Sequence, residues 1–358
     1  MIKITTEFEN ERKTIYLIYS PLLDQSIAIA KFIKKYIPNT KIFGIKMEHE
    51  NIKRASKKYF SKTLLLEDLI FYKQEYKCIH IPTGAMSTKY LLEQLGQVTL
   101  REITLTHEAL RVFDKQWLIN FAKDSGIPVP KTWNNLEDVT EYPIFYKPAF
   151  EGKGKLRRIS FSYDETIKNL GNNIHNYIFQ EYIDSKGTYG VCFLADKGEM
   201  IVEFIHFEKE SFPRDGGSAV IIEKFFDSRL IKYTKRLISG LGYSGWGLAE
   251  FKYCPKRKDF VLMEINAKFW ASCEFAFVNE PHFLEFLFGI KSQEKPVSSM
   301  FFVNRGFFRG PGFIIKSLPI LLRGVSYRFY PGWIKAIAIG LMLFAKDVKQ
   351  KISRQNPQ

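Results

Sequence analysis

The chain has 358 residues, 46% of them apolar, and a net charge of +15. That length is enough for two or three domains with a sizeable core. Charged residues interrupt the opening MIKITTEFENERKTIYLIYS before any apolar run forms, so no signal peptide is expected. The four cysteines, Cys78, Cys192, Cys254 and Cys273, are scattered without metal-ligand or redox-pair spacing, and a reduced, cytosolic setting is expected. Residues 300–358 hold ten basic residues and one acid, Asp347, and so carry nine of the fifteen net positive charges. The basic character belongs to the C-terminal tail rather than to the body.

The first third alternates strand and helix. TIYLIYS (14–20) is a short apolar run before a Ser-Pro turn. SIAIAKFIKKYI (26–37) has helical periodicity and stops at Pro38. KIFGIK (41–46) and CIHIPTG (78–84) are strand-like, and STKYLLEQLG (87–96) is a helix ending in Gly. This alternation predicts a small parallel sheet of the nucleotide-fold type. No GxGxxG follows the first strand, which leaves a dinucleotide site unsupported.

THEALRVFDKQWLINFAKDSGIPVPKTW (106–133) reads as a helix, a break and a second helix closed by Gly126 and Pro128. YPIFYKPAF (142–150) is a strand, EGKGK (151–155) a glycine-rich turn, and LRRISFS the returning strand. Strands are predicted at YIFQEYI (177–183), TYGVCFLA (188–195) and EMIVEFIHF (199–207). FDSRLIKYTKRLISGLG (226–242) is an amphipathic helix. LAEFKYC (248–254) and DFVLMEINA (259–267) form a hairpin around PKRK.

Five features bear on chemistry. The first is the hairpin, which places the Glu250 and Glu264 carboxylates across from each other, with Asn266 on the same face two residues on. Two carboxylates and an amide oxygen suit Mg²⁺, which takes one or two carboxylates plus substrate phosphate. The other reading is a solvated strand end with Lys268 as counter-ion. Second, Lys147 lies among apolar strand residues and is costly to bury without a negative partner, or else it reaches solvent from an edge strand. Third, Gly152, Lys153 and Gly154, with Lys155, offer backbone N–H groups and charge to an anion, although such a turn is more often a solvated hairpin tip. Fourth, Lys115 is a second cation, or simply a surface helix lysine. Fifth, Gln180, Glu181 and Ile183 end a strand whose free backbone groups suit an adenine edge and whose carboxylate suits a ribose hydroxyl; plain strand is the alternative.

Taken in order, DK…GIPVPKT, YPIFYKP with its glycine loop, QEYI, GWGLAEFK and LMEINAKFW resemble the ATP-grasp superfamily over about residues 80–289. The EINAKFW ending is similar to carboxylate–amine ligase-like members, which often carry Arg where this chain has Lys268. The resemblance implies an α/β (α+β) ATP-grasp fold in three parts. These are a pre-ATP-grasp α/β domain (1–105), an ATP-grasp domain (106–295, its lobes meeting at 180/181) and a basic amphipathic helical tail (296–358). It implies ATP and Mg²⁺ as cofactors, with Mn²⁺ as the alternative ion. It assigns Lys115 and Lys147 to the ATP phosphates, with Gly152, Lys153 and Gly154 closing over them. Gln180, Glu181 and Ile183 line the adenine and ribose hinge, and Glu250, Glu264 and Asn266 hold the metal. Lys268 meets the transferred phosphoryl or acyl-phosphate, and Arg214 faces the acceptor. Lysine there replaces a planar fork with a point charge, and Thr188 or Tyr189 stands where many members place an acid for ribose. The implied reaction joins a carboxylate to an amine, or a thiol, through an acyl-phosphate, with ATP going to ADP and phosphate.

The tail combines apolar runs with Lys and Arg. Its longest uncharged stretch, AIAIGLMLFA (336–345), is about half the roughly 20 residues a spanning helix needs, so no transmembrane segment is expected. Docking on an anionic membrane and packing on the body are both open. A nucleic-acid partner is not expected, because the basic segment is too aliphatic and contains no known module. The reading is a cytoplasmic ligase, peripheral at the inner membrane face, acting on a small carboxylate and amine, lipid-linked or glycan-borne if it docks there. A non-catalytic nucleotide-binding module and a membrane-surface scaffold are the alternatives; the oligomeric state is not predicted.

Overall fold

The computed structural model describes residues 13–47, 58–69, 76–151, 157–213, 217–321 and 325–327. The first sheet is β1 (Thr14–Tyr19), β2 (Lys41–Ile45), β3 (Lys62–Leu64) and β4 (Lys77–Ile81), in the order β3-β2-β1-β4 and parallel throughout. β1 is buried at every position but its first, as a central parallel strand covered on both faces must be. Helix α1 (Asp24–Tyr36) follows β1, with Asp24 in its first turn and Lys34 and Lys35 in its last, the arrangement the helix dipole favours. Helix α2 (Ala85–Leu95) follows β4 and ends at Gly96, whose φ of +75° suits glycine. Because β2 lies on one side of β1 and β4 on the other, the winding reverses between β1 and β4. The nucleotide-fold-like alternation expected of this stretch is present.

A hairpin of β5 (Gln97–Leu100) and β6 (Ile103–Thr106) leads through a 3₁₀ turn (His107–Phe113) into α3 (Lys115–Asp124). The break between the two helical pieces is Asp114, whose carboxylate caps α3 by accepting from Trp117 N at 3.0 Å. The second sheet, β7 (Thr132–Trp133), β8 (Ile144–Pro148), β9 (Arg158–Ser160) and β10 (Tyr177–Glu181), is antiparallel in the order β7-β10-β8-β9. Together with α4 (Tyr163–Leu170) it encloses its own core of Trp133, Leu136, Ile144, Tyr146, Leu170, Tyr177 and Phe179.

The third sheet has seven strands: β11 (Thr188–Asp196), β12 (Glu199–Phe212), β13 (Ser218–Lys224), β14 (Gly245–Cys254), β15 (Asp259–Asn266), β16 (Ser299–Phe301) and β17 (Val325–Tyr327). Their order is β15-β14-β11-β12-β13-β16-β17, antiparallel except for the last pair. Helix α5 (Ser228–Leu241), closed by Gly242 in the left-handed region, packs on β11 and β12. Helices α6 (Cys273–Asn279), α7 (His282–Phe288), α8 (Val303–Phe308) and α9 (Pro311–Leu321) complete the described chain.

The first and third sheets share one core. Phe32 of α1 meets Phe277 of α6 edge-on at 5.8 Å, and Lys31 pairs with Glu274 at 2.6 Å. The sequence starts a helical tail at 296, yet residues 299–301 add a strand to the large sheet, between β13 and β17, before α8 and α9 begin. A three-residue strand is too short to show a period. No helix among the described residues is long and apolar enough to cross a membrane. The expected helical tail beyond residue 327, with its apolar stretch 336–345, lies outside the described residues, as do Gly152, Lys153, Gly154 and Arg214.

Candidate active site

The end of β15 carries Glu264 and Asn266 into a cleft of about 350 Å³ between the second and third sheets. Glu250 of β14 registers directly opposite Glu264, as the hairpin spacing predicts. Glu264 and Asn266 are buried, and Asn266 Nδ2 donates to Glu264 Oε1 at 3.2 Å. Gly190 of β11 lies next to Glu250 across the sheet. A Cβ there would stand 2.6 Å from the His206 ring, so only glycine lets that ring close over the strand.

Four cations surround the carboxylates. Lys115 opens α3, a position the helix dipole disfavours for a cation, and it is buried there with Glu151 Oε2 at 3.1 Å and Glu264 Oε2 at 3.6 Å. Lys147 of β8 is also buried. Its Nζ donates to Met263 O at 2.7 Å and stands 4.0 Å from Glu264 Oε2. Lys268, two residues beyond Asn266, pairs with Glu151 Oε1 at 2.9 Å, and Arg157 pairs with Glu151 Oε2 at 3.6 Å. Glu151 thus anchors three cations at the threshold of the glycine turn.

The charges set one another. Burial pushes Glu264 up, but Lys115, Lys147, Arg157 and Lys268 outweigh it and hold its carboxyl well below the usual range. Burial, then the Glu264 charge, push Glu250 well above that range. The two carboxyls are thus pushed in opposite directions, Glu264 towards its charged form and Glu250 towards its protonated one. Burial also draws the Lys147 ammonium down to about 8, against the opposing pull of Glu264. Glu264 raises the Arg157 guanidinium.

Of the residues singled out in the sequence, Lys115, Lys147, Glu250, Glu264, Asn266 and Lys268 form this cluster. Glu181 and Ile183 line the other end of the cleft, while Gln180 lies buried beneath, its Nε2 donating to Thr132 Oγ1 at 3.0 Å. The Glu181 carboxylate, expected to meet a ribose, here pairs with Arg257 of the PKRK turn. Thr188 lines the cleft, as do Gly217 and Ser218, which follow Arg214 in sequence. Sequence reasoning missed Glu151 and Arg157, which flank the glycine turn it did notice, and Glu208 and Lys252, which also line the cleft. Glu208 and Lys252 are polar residues on strands whose alternation alone gives them no role.

Among the described residues, no group of three or more His, Cys, Asp or Glu is placed to hold a metal. The candidate donors are instead two carboxylates and an amide. Their all-oxygen chemistry, and the mutual repulsion that favours the protonated form of Glu250, fit a hard divalent cation completed by phosphate oxygens.

No family model and no curated protein matches the sequence. Solved structures do match its fold. An L-amino acid ligase from Bacillus licheniformis aligns with 76% of this chain and 71% of its own, at 13% identity and a TM-score of 0.56. The biotin carboxylase domain of the Hydrogenobacter thermophilus 2-oxoglutarate carboxylase was solved with MgADP, ADP and bicarbonate. It aligns with 78% of this chain and 71% of its own, at 15% identity and a TM-score of 0.59. A Rhizobium etli pyruvate carboxylase aligns with 75% of this chain at 12% identity and a TM-score of 0.59; this chain spans only 27% of that longer protein. The architecture these proteins share with the present chain is the ATP-grasp fold.

Proposed function

We propose that the protein is an ATP- and Mg²⁺-dependent ligase that activates a carboxylate as an acyl-phosphate and passes it to an amine, or to a thiol. The observation that carries this reading is the meeting of Lys115, Lys147, Arg157 and Lys268 with Glu250, Glu264 and Asn266 in one cleft between two sheets. The L-amino acid ligase and MgADP-bound neighbours add support at the level of the fold. We take residues 1–105 as the part facing the acid and residues 106–295 as the nucleotide-binding part. Residues 299–301 join the latter.

In this reading Glu181 and Ile183 border the nucleoside, and Lys115 and Lys147 meet the phosphates. Glu250, Glu264 and Asn266 would hold Mg²⁺, or Mn²⁺, which supplies charge to the β- and γ-phosphate oxygens. An oxygen of the acid attacks the γ-phosphorus and ADP departs. The lysines neutralise the charge that moves onto the leaving oxygen, in a site already organised for it. Lys268 lies where it would face the acyl-phosphate. The amine then attacks the acyl carbon, phosphate leaves, and the nitrogen gives up a proton.

The test is thermal. Mg-ATP should raise the melting temperature of the wild type by several degrees, roughly what 1–2 kcal/mol of linkage gives a chain of this size. Glu264→Gln should lose at least half of that rise when Mg²⁺ is present. Equal rises in the two proteins would remove the metal assignment, and no rise in either would remove the nucleotide site.

A further inference from the structure

A second cavity, of about 700 Å³, lies against the first sheet and adjoins the cleft through Gln25 and Lys268, which line both. Its floor is the turn after β1 at Ser20 and the turn after β4 at Gly84. These are the carboxyl ends of the two strands between which the winding reverses, the place where open α/β sheets hold ligands. Gln25 Nε2 donates to Thr83 O at 2.8 Å, and the Ser26 and Thr83 hydroxyls lie 2.6 Å apart, so the two turns are fastened together.

The walls are Leu23, Met47, Leu66, Met86 and Tyr90. Small-molecule sites run to roughly 300–1,000 Å³ and are mainly apolar with a few placed polar groups, which describes this cavity. Two methionines give it a pliable lining. At the rim Lys89 and Glu93 lie 3.8 Å apart and offset each other. Glu151 is already engaged by three cations. One carboxylate shared by Lys115, Arg157 and Lys268 leaves that group net positive, and Lys268, at the junction with the cleft, carries the excess to a guest, attracting a carboxylate and repelling a protonated amine.

We infer that this cavity takes the apolar body of the carboxylate substrate, an aliphatic or aromatic acid, with its carboxylate directed past Lys268 towards the cleft. The inference rests on the ligase reading above and narrows it to an acid with an apolar chain or ring. An oxygen of that acid bonds to the γ-phosphorus as the bond to the ADP oxygen breaks. With hydroxylamine as the amine, its nitrogen then bonds to the acyl carbon as phosphate leaves and a proton passes to solvent, giving a hydroxamate.

The full chain, Mg-ATP and hydroxylamine are assayed for hydroxamate with octanoate, 3-phenylpropionate and acetate. The first two should exceed acetate in kcat/KM by at least tenfold. Met86 is 55% exposed, so Met86→Asp should fold normally. It should raise the KM for octanoate at least tenfold and leave that for ATP unchanged. Equal rates for the three acids, or an unchanged octanoate KM in Met86→Asp, overturn the assignment. If no acid yields hydroxamate, melting with Mg-ADP decides. A rise on adding 3-phenylpropionate that Met86→Asp abolishes upholds the pocket, and no rise overturns it. A protein whose melting ignores Mg-ATP altogether fails at the ligase reading itself, and the pocket assignment falls with it.

Discussion

At the scale of single residues, the site is governed by protons it must lose and keep. Burial and then the Glu264 charge favour the protonated form of Glu250, whereas holding a divalent cation favours its carboxylate. Affinity for Mg-ATP should therefore weaken as pH falls, and more steeply than affinity for ATP without Mg²⁺. Lys147 works in the opposite sense. Burial favours its neutral form and places its loss of charge near pH 8, so phosphate binding weakens as pH rises beyond that. One unit above the midpoint, near pH 9, the dissociation constant should be roughly tenfold higher. Titrating Mg-ATP across pH should thus give a bell with its basic limb at Lys147. Lys147→Arg keeps its charge and should flatten that limb. A basic limb unchanged in this variant would assign it to another group.

At the scale of elements, two helix caps make a controlled comparison. Asp114 accepts from Trp117 N and so fixes the helix turn that carries Lys115; Ser162 accepts from Glu165 N at the start of α4, away from the cleft. Either change to alanine should cost about 1 kcal/mol of stability. Only Asp114→Ala should also raise the dissociation constant for ATP, by about tenfold, because only there does the cap position a lysine proposed above to meet the phosphates. Equal ATP affinity in the two variants would show that Lys115 does not depend on its cap. The elements also show what a sequence discloses. β14 and β15 were legible because alternation puts Glu250, Glu264 and Asn266 on one face of strands otherwise apolar. Glu151 was not legible as an anchor, since Lys268 lies 117 residues away and no local period records such a meeting. The Glu181–Arg257 pair escaped for the same reason. β16, pairing with β13 from a distant stretch of chain, gave no turn signal to mark it.

At the scale of the whole molecule, the small antiparallel sheet has a core of its own, while the first and third sheets share another. Lys147 belongs to the former and Glu264 to the latter, so a nucleotide between them ties the two bodies together. Mg-ATP should slow amide exchange in β8 and β10 by tenfold or more and in β1 and β4 by less than twofold. Uniform slowing across all four strands would show that the bodies open as one unit.

The division between cores has a consequence for how such a chain changes over generations. Lys147 sits on the small sheet, whose core is separate from the one against which Leu66 packs. Substitutions at Leu23, Leu66 or Met86 should therefore reshape the apolar cavity with little effect on a grip on ATP that runs through Lys147. On the ligase reading proposed above, selection is free to exchange one acid for another while the energy source stays constant, and lineages that diverge in substrate need not pass through an inactive ancestor.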